Sequence, residues 1–196
     1  MKTIIFIGAP GSGKGSRIKE CVKNADYTQI SSGDLLRNAG FDLSSGQFVK
    51  DSIVVSIVKD AMKKAKGNII LDGFPRNISQ AKELEKQGVK VDKIIHIKIS
   101  PEEAVKRALN RLTCPNCNAT YSKTGYNPPK KEGICDLCGE KLTQRSDDTN
   151  EGIIRERIKI YEEKTFPVIE FYKSKGIKID VLDTAVDPNS KVLTMI

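Results

Sequence analysis

The chain has 196 residues, with 33 basic and 25 acidic side chains and a formal net charge of +8. That length predicts one domain with room for small insertions, large enough to bury a core without staples. Hydrophobic residues at 38% and charged residues at 30% exclude collagen-like and disordered classes, and Ile4-Ile5-Phe6-Ile7 is far shorter than the ~20 residues of a membrane span. With no secretory signal either, a cytoplasmic chain with no membrane partner is the expectation. The basic excess favours anionic partners, but the basic residues are dispersed among acidic ones rather than blocked.

In chain order, residues 3–7 form a β-branched run ending at Gly8, the pattern of a strand buried on both faces of a parallel sheet. A Gly-rich loop and a helix over about 14–24 follow, then a short strand at 27–30. A helix is predicted over 49–65, broken by Gly67, and a strand over 68–71 that stops at Asp72-Gly73. After a fourth strand at 93–99, Ser100-Pro-Glu-Glu103 reads as an N-cap, an N1 proline and a capping box, opening a helix that runs to about Thr113. Residues 114–143 turn rich in Cys, Pro, Gly, Asn and Lys, and so read as an insert. A long helical stretch over 150–175 carries Pro167 as a kink or break, and 178–182 is the last strand. Strands alternating with helices predict an α/β fold around a five-stranded parallel sheet.

Gly8-Ala-Pro-Gly11-Ser12-Gly13-Lys14-Gly15-Ser16 follows a strand and opens a helix, the context of a phosphate-binding P-loop. Glycines let backbone N–H groups converge on phosphate oxygens, the helix N-terminus adds partial positive charge, and Lys14 supplies a full one. Gly15 stands where the general motif has Ser or Thr, and the hydroxyl comes one place later at Ser16.

Five cysteines in a chain without a secretory signal argue against a disulfide framework. Cys114-x2-Cys117 and Cys135-x2-Cys138, separated by 17 residues, carry the spacing of a zinc site. Four thiolates would close a tetrahedral shell and leave no water position, so the predicted Zn2+ is structural. Cys21, alone, reads as a small buried apolar residue.

The P-loop with Gly15 after Lys14 resembles that of adenylate kinases and their nucleoside monophosphate kinase relatives. So, in the same order, do Ile30-Ser-Ser-Gly-Asp-Leu-Leu-Arg37, Leu71-Asp-Gly-Phe-Pro-Arg76, Arg145-Ser-Asp-Asp148, and the stretch from Arg157 to Tyr172 around Thr165-Phe-Pro167. The resemblance covers nearly the whole chain. It implies reversible phosphoryl transfer, ATP plus AMP giving two ADP, with Mg2+ accompanying ATP. It also implies a core at 1–31, 61–112 and 148–196, a shortened monophosphate-binding region at 32–60, and a zinc-bearing lid at 113–147.

By that resemblance Gly11, Ser12, Gly13, Lys14, Gly15 and Ser16 hold the donor phosphates, with Thr120, Tyr121 and Val186 in the donor nucleotide site. Arg107 and Arg111, four residues apart on the predicted helix, would grip the donor together. Arg37 and Arg76 resemble the pair that holds the acceptor phosphate. Ser32, Gln47, Phe48, Val49, Gly73, Phe74, Pro75 and Gln80 would complete that site, and Gln80 and Ser32 favour AMP at the base edge. Arg145 and Arg157 match arginines around the transferred group, and Asp72 is placed to orient water around Mg2+. Asp147 and Asp148 resemble the acidic pair that helps close the lid, with a solvated acidic turn as their alternative. Arg155 competes with Arg157, because this segment is one residue longer than the family's spacing. Against the inner face of Ile154, Ile158, Tyr161 and Thr165 the two lie about 90° and about 70° off centre, and the downstream match selects Arg157.

Between Arg37 and Gly46 the segment 38–45 is short and rich in turn-formers, so the acceptor clamp is expected to be truncated and less discriminating. A monomer is the default, with a neighbouring subunit as the alternative that completes the wall. Two rivals stand beside the adenylate kinase reading. One is a pyrimidine or broad-specificity monophosphate kinase. The other is a non-catalytic zinc-ribbon protein that binds nucleic acid, which the 6% aromatic content disfavours.

Overall fold

A computed structural model describes residues 2–43, 49–125 and 127–196. In chain order the elements are β1 (Thr3–Gly8), α1 (Lys14–Asn24), β2 (Tyr27–Ser31), α2 (Ser32–Asn38), α3 (Asp51–Lys64), β3 (Asn68–Asp72), α4 (Ile78–Lys86), β4 (Lys93–Lys98) and α5 (Pro101–Leu109). There follow β5 (Arg111–Thr113), β6 (Thr120–Ser122), α6 (Glu151–Ile160), a π turn (Tyr161–Thr165), α7 (Pro167–Lys173) and β7 (Lys178–Asp183).

The main sheet is five-stranded and wholly parallel, in the order β2-β3-β1-β4-β7. Successive side chains of a strand point to opposite faces, and here both faces are apolar. Ile5, Ile7, Ile69, Leu71 and Ile94 pack with Val54, Val58, Ala81, Leu84, Val168 and Tyr172 from α3, α4 and α7. Ile4, Phe6, Ile70, Ile95, Ile97 and Leu182 pack on the other face with Ile18 and Cys21 of α1 and with Val192. All six residues of β1 are buried. Ligands of such sheets bind outside the carboxyl ends of the strands, in the crevice where neighbouring strands lead off in opposite directions; here β1 leads to β2 on one side and its neighbour β3 leads to β4 on the other.

Three of the described departures from the predicted elements bear on the site. The helix opened by Ser100 ends at Leu109, capped at Asn110, and residues 111–113 form β5 instead. Antiparallel pairing of β5 with β6, and of Thr113 with Thr143, outweighs helical continuation. Two helices lie in stretches where none was predicted. α2 starts directly after β2, capped by the Ser31 hydroxyl that accepts from Asp34 N–H. α4 is capped by Asn77, whose Oδ1 accepts from Gln80 N–H at 2.8 Å. The break expected at Pro167 is present and takes the form of a π turn just ahead of it, where Phe166 N–H reaches back to Tyr161 C=O at 2.8 Å; proline has no N–H for the α-helical bond. Asn38 closes α2, and among the described residues no helix stands between it and Asp51.

Leu71 is fully buried between sheet and helices. Leu71→Ala is expected to destabilise the fold by about 2–5 kcal/mol, whereas Val22→Ala on the half-exposed side of α1 should change it by less than about 0.5 kcal/mol. Equilibrium urea unfolding measures both.

Candidate active site

β1 ends at Gly8, and the loop turns back through a Ser12 N–H to Ala9 C=O bond at 3.1 Å. Gly11 has φ of 79°, and a Cβ there would lie 2.2 Å from the Ala104 carbonyl oxygen of α5. This glycine is therefore required both by backbone conformation and by the close approach of a neighbouring helix. Gly13, with φ of 78°, caps α1, whose first turn carries no acidic residue, so the positive end of the helix faces the loop uncancelled. Lys14 Nζ donates to Gly8 C=O at 2.6 Å and Ala9 C=O at 3.2 Å, which folds it back over the loop.

A cleft of about 880 Å³ opens at this end of the sheet. Gly11, Ser12, Gly13, Lys14, Gly15 and Ser16 line it, with Arg37, Asp72, Gly73, Pro75, Arg76, Arg107, Arg111, Thr120, Tyr121, Arg145 and Arg157. Residues from well-separated stretches of chain thus meet in one cavity. Burial pushes the Lys14 ammonium down to about 8; Asp72 opposes this, while Arg76, Arg111 and Arg157 add repulsion. Burial, then repulsion from Arg111 and Arg37, pushes Arg145 down to about 10. Arg76 is lowered by burial and next by Arg157. The cleft is short of negative charge, the condition under which a polyanion binds.

The arginines are held in distinct ways. Arg111 makes a bidentate pair with Asp148, Nε to Oδ2 at 2.7 Å and Nη2 to Oδ1 at 2.7 Å. Arg157 donates to the same carboxylate at 3.0 Å and pairs with Asp147 at 2.9 Å. Asp148 is fully buried, so Asp147 and Asp148 do not form a solvated turn; Asp148 bridges two cleft arginines. Arg155 points outward and pairs with Glu151. Arg107, on α5, pairs with Glu103 at 2.8 Å, whereas Arg111 sits on β5. The two do not share a helix face as predicted, yet both reach the cleft. Arg76 Nε donates to Gly73 C=O at 2.9 Å, and Arg37 pairs with Asp34. Asp72 Oδ2 accepts from Gln29 Nε2 at 3.0 Å.

Several predicted acceptor residues lie behind the cleft wall. Ser32 is buried with its hydroxyl donating to Gly73 C=O. Gln80 is fully buried: Oε1 accepts from Arg76 N–H at 2.7 Å and Nε2 donates to Asp51 Oδ1 at 2.6 Å. That amide braces the Arg76 backbone instead of presenting a free edge to a base. Phe74 is in the core and Val49 packs against it. Gln47 and Phe48 lie outside the described residues. Val186 is 77% exposed and is not among the cleft residues, where Thr184, Asp187 and Asn189 of the same turn stand instead. The bridging of Arg111 and Arg157 by Asp148 and the Arg76-bracing role of Gln80 escaped the sequence reading, since no local pattern distinguishes a buried bridge from a surface side chain.

The insert folds around its cysteines. Cys114 and Cys135 each start the same turn: their carbonyls accept from the N–H four residues on, at Asn118 and Gly139, and both of those residues have positive φ. All four Sγ atoms lie within 4.8 Å of one another, with approaches of 3.4, 3.5 and 3.6 Å, and none is in a disulfide. Four sulfurs around a zinc ion at ~2.3 Å stand roughly 3.8 Å apart, so donor type and spacing fit that metal. Tyr121 on β6 is 7% exposed, and its hydroxyl accepts from Asp136 N–H at 2.9 Å and lies 3.5 Å from Cys135 Sγ. Its polar end serves the cysteine cluster. Lys19 of α1 donates to Asn118 C=O at 2.9 Å, tying the insert to the P-loop helix.

Residues 6–177 match the family model described as adenylate kinase. A protein named adenylate kinase from Caldicellulosiruptor bescii is 39% identical, over 90% of this chain and 89% of its own length. One of the same name from Archaeoglobus fulgidus is 40% identical over 91% and 89%, and one from Caldicellulosiruptor saccharolyticus is 37% identical over 97% and 96%.

The depressed Lys14 makes a measurable prediction. Phosphate oxygens brought to Nζ will raise its pKa from about 8 back toward 10.5. Between those values the free site carries less proton than the bound one, so nucleotide binding takes up protons above about pH 8. Calorimetry in buffers of different ionisation enthalpy should show that uptake at pH 9, vanishing near pH 6 and absent in Lys14→Met.

Proposed function

The chain belongs to the adenylate kinase family and is a nucleoside monophosphate kinase, and from that premise we propose how its residues divide the work. The observation that carries the assignment is the convergence of Lys14, Arg76, Arg111, Arg145 and Arg157 on one cleft, where burial and the neighbouring cations lower the pKa of Lys14, Arg76 and Arg145. Two facing polyphosphates supply the charge that this arrangement lacks.

In the proposed reaction an oxygen of the AMP phosphate forms a bond to the γ-phosphorus of ATP as the bond to the β,γ-bridging oxygen breaks, leaving two ADP. The attacking phosphate is already anionic, so no general base is needed and catalysis is positioning plus charge neutralisation. The P-loop N–H groups, the α1 N-terminus and Lys14 hold the donor phosphates. Arg107 and Arg111 approach from the base of the lid, over residues 113–147, with Thr120 beside the donor. Arg37 and Arg76 hold the acceptor phosphate over the 32–60 region. Arg145 and Arg157 face the transferred group, where guanidiniums keep their charge and bind oxygens in pairs. Mg2+ bound with ATP neutralises phosphate charge; Asp72 and Ser16, both at the cleft, are the residues suited to its shell.

A wider acceptor range is the second reading, favoured by the inward-turned Ser32 and Gln80. ADP formation from MgATP with AMP, CMP, UMP and GMP in turn tests both. We expect AMP to be fastest with measurable turnover of the others, and Lys14→Ala to lose most of the rate with every acceptor, by about 10²-fold or more. Absence of AMP turnover, or near wild-type activity in Lys14→Ala, would refute the assignment.

For the cysteine cluster we propose a structural zinc, since four thiolates leave no open position. The buried apolar cluster around it holds Ala119, Tyr121 and Leu142 besides two of the cysteines, too little to order the insert without help. Metal analysis is expected to find one zinc per chain. Chelation should expose residues 114–143 to protease while the core stays folded.

A further inference from the structure

The π turn of residues 161–165 sits between the sheet and the cleft, and two side-chain hydrogen bonds fasten its ends. At its start, Tyr161 OH meets Nε2 of His96 on β4 at 3.1 Å. At its end, Thr165 Oγ1 donates to the backbone carbonyl of Arg76 at 2.8 Å. Phe166 packs edge-on against both rings, 5.6 Å from His96 and 6.5 Å from Tyr161. A π turn forgoes the regular α-helical ladder, so its shape depends on such outside contacts. His96 is the chain's single histidine. Burial, with Lys98 and Lys14 adding to it, holds its pKa below the usual range; the neutral ring can accept the Tyr161 proton at Nε2 when Nδ1 carries its own.

Arg76 is thereby gripped from two sides, Thr165 at its carbonyl and Gln80 Oε1 at its N–H. We infer that His96 and Tyr161 are positioning residues for the reaction, locking the π turn so that Thr165 holds Arg76 at the acceptor phosphate. No step of phosphoryl transfer passes through them. The inference rests on the proposed role of Arg76.

Initial rates with varied AMP at saturating MgATP, and the converse, are measured for Tyr161→Phe, Thr165→Val, the double variant and Arg76→Lys. Tyr161→Phe deletes one hydroxyl and keeps the ring, and Thr165→Val keeps the shape, so both should fold; thermal unfolding checks this. Each single variant should raise the acceptor KM about three- to tenfold with the donor KM unchanged, as expected for one lost hydrogen bond. The double variant should be little worse than Thr165→Val alone, because both act on one element. His96→Gln, which keeps an acceptor near Nε2, should restore what His96→Phe loses. An unchanged acceptor KM in Tyr161→Phe, equal rises in both KM values, fully additive effects, or no rescue by glutamine would each overturn the inference. If Arg76→Lys leaves the acceptor KM unchanged, the role of Arg76 falls and takes this inference with it. If Arg76→Lys raises it and Tyr161→Phe does not, only the π-turn lock is wrong.

Discussion

Like charges held together in a partly dry cleft are the constraint from which the other features of this molecule follow. Lys14, Arg76 and Arg145 each lie below their ordinary proton affinity, with burial as the leading cause and neighbouring cations adding to it in every case. Such a cluster is unfavourable to folding by itself, and several devices offset it. Asp148, fully buried, receives Arg111 and Arg157 together. Breaking a buried pair of this kind typically costs about 3–5 kcal/mol, because a charge is left uncompensated. Backbone carbonyls take up further donors: Gly8 for Lys14, Gly73 for Arg76 and Asp147 for Arg157. What these partners leave unneutralised is available to phosphate.

The sheet makes that concentration of charge tolerable by supplying a rigid, two-sided core beneath it. Because both faces of β1, β3 and β4 are sealed by helices, the carboxyl ends of the strands are the place where polar side chains can emerge. The contact between Gly11 and the Ala104 carbonyl fits the loop against α5 with no room for a side chain. The phosphate loop is thus backed by a helix that also carries Arg107 and leads into the strand of Arg111.

The insert obeys a different physics. Its apolar cluster is small, and its order depends on two repeated turns that bring four sulfurs together. Tyr121 shows the consequence: a side chain lining the cleft directs its hydroxyl at the cysteine cluster. A change there would act on the cleft through the fold of the insert.

Much of the site was legible in the sequence because it is encoded by short-range pattern. The β-branched run before Gly8, the glycine spacing around Lys14, the two C-x2-C pairs and the capping box at Ser100 each operate over a few residues and need no distant partner. The segments carrying Arg37, Arg76, Arg145 and Arg157 were placed by their resemblance to those of a known family and not by local pattern. What only the tertiary structure decided depends on partners far away in the chain. Arg111 left its helix because β6 and Thr143 offered strand pairing. Gln80 and Ser32 turned inward because Asp51, Arg76 N–H and Gly73 C=O were within reach of their polar groups. Arg157, not Arg155, entered the cleft because Asp147 and Asp148 stood buried opposite it. Local pattern specifies which backbone conformations the chain prefers; which of two polar groups a side chain satisfies is settled only when burial removes water as the alternative.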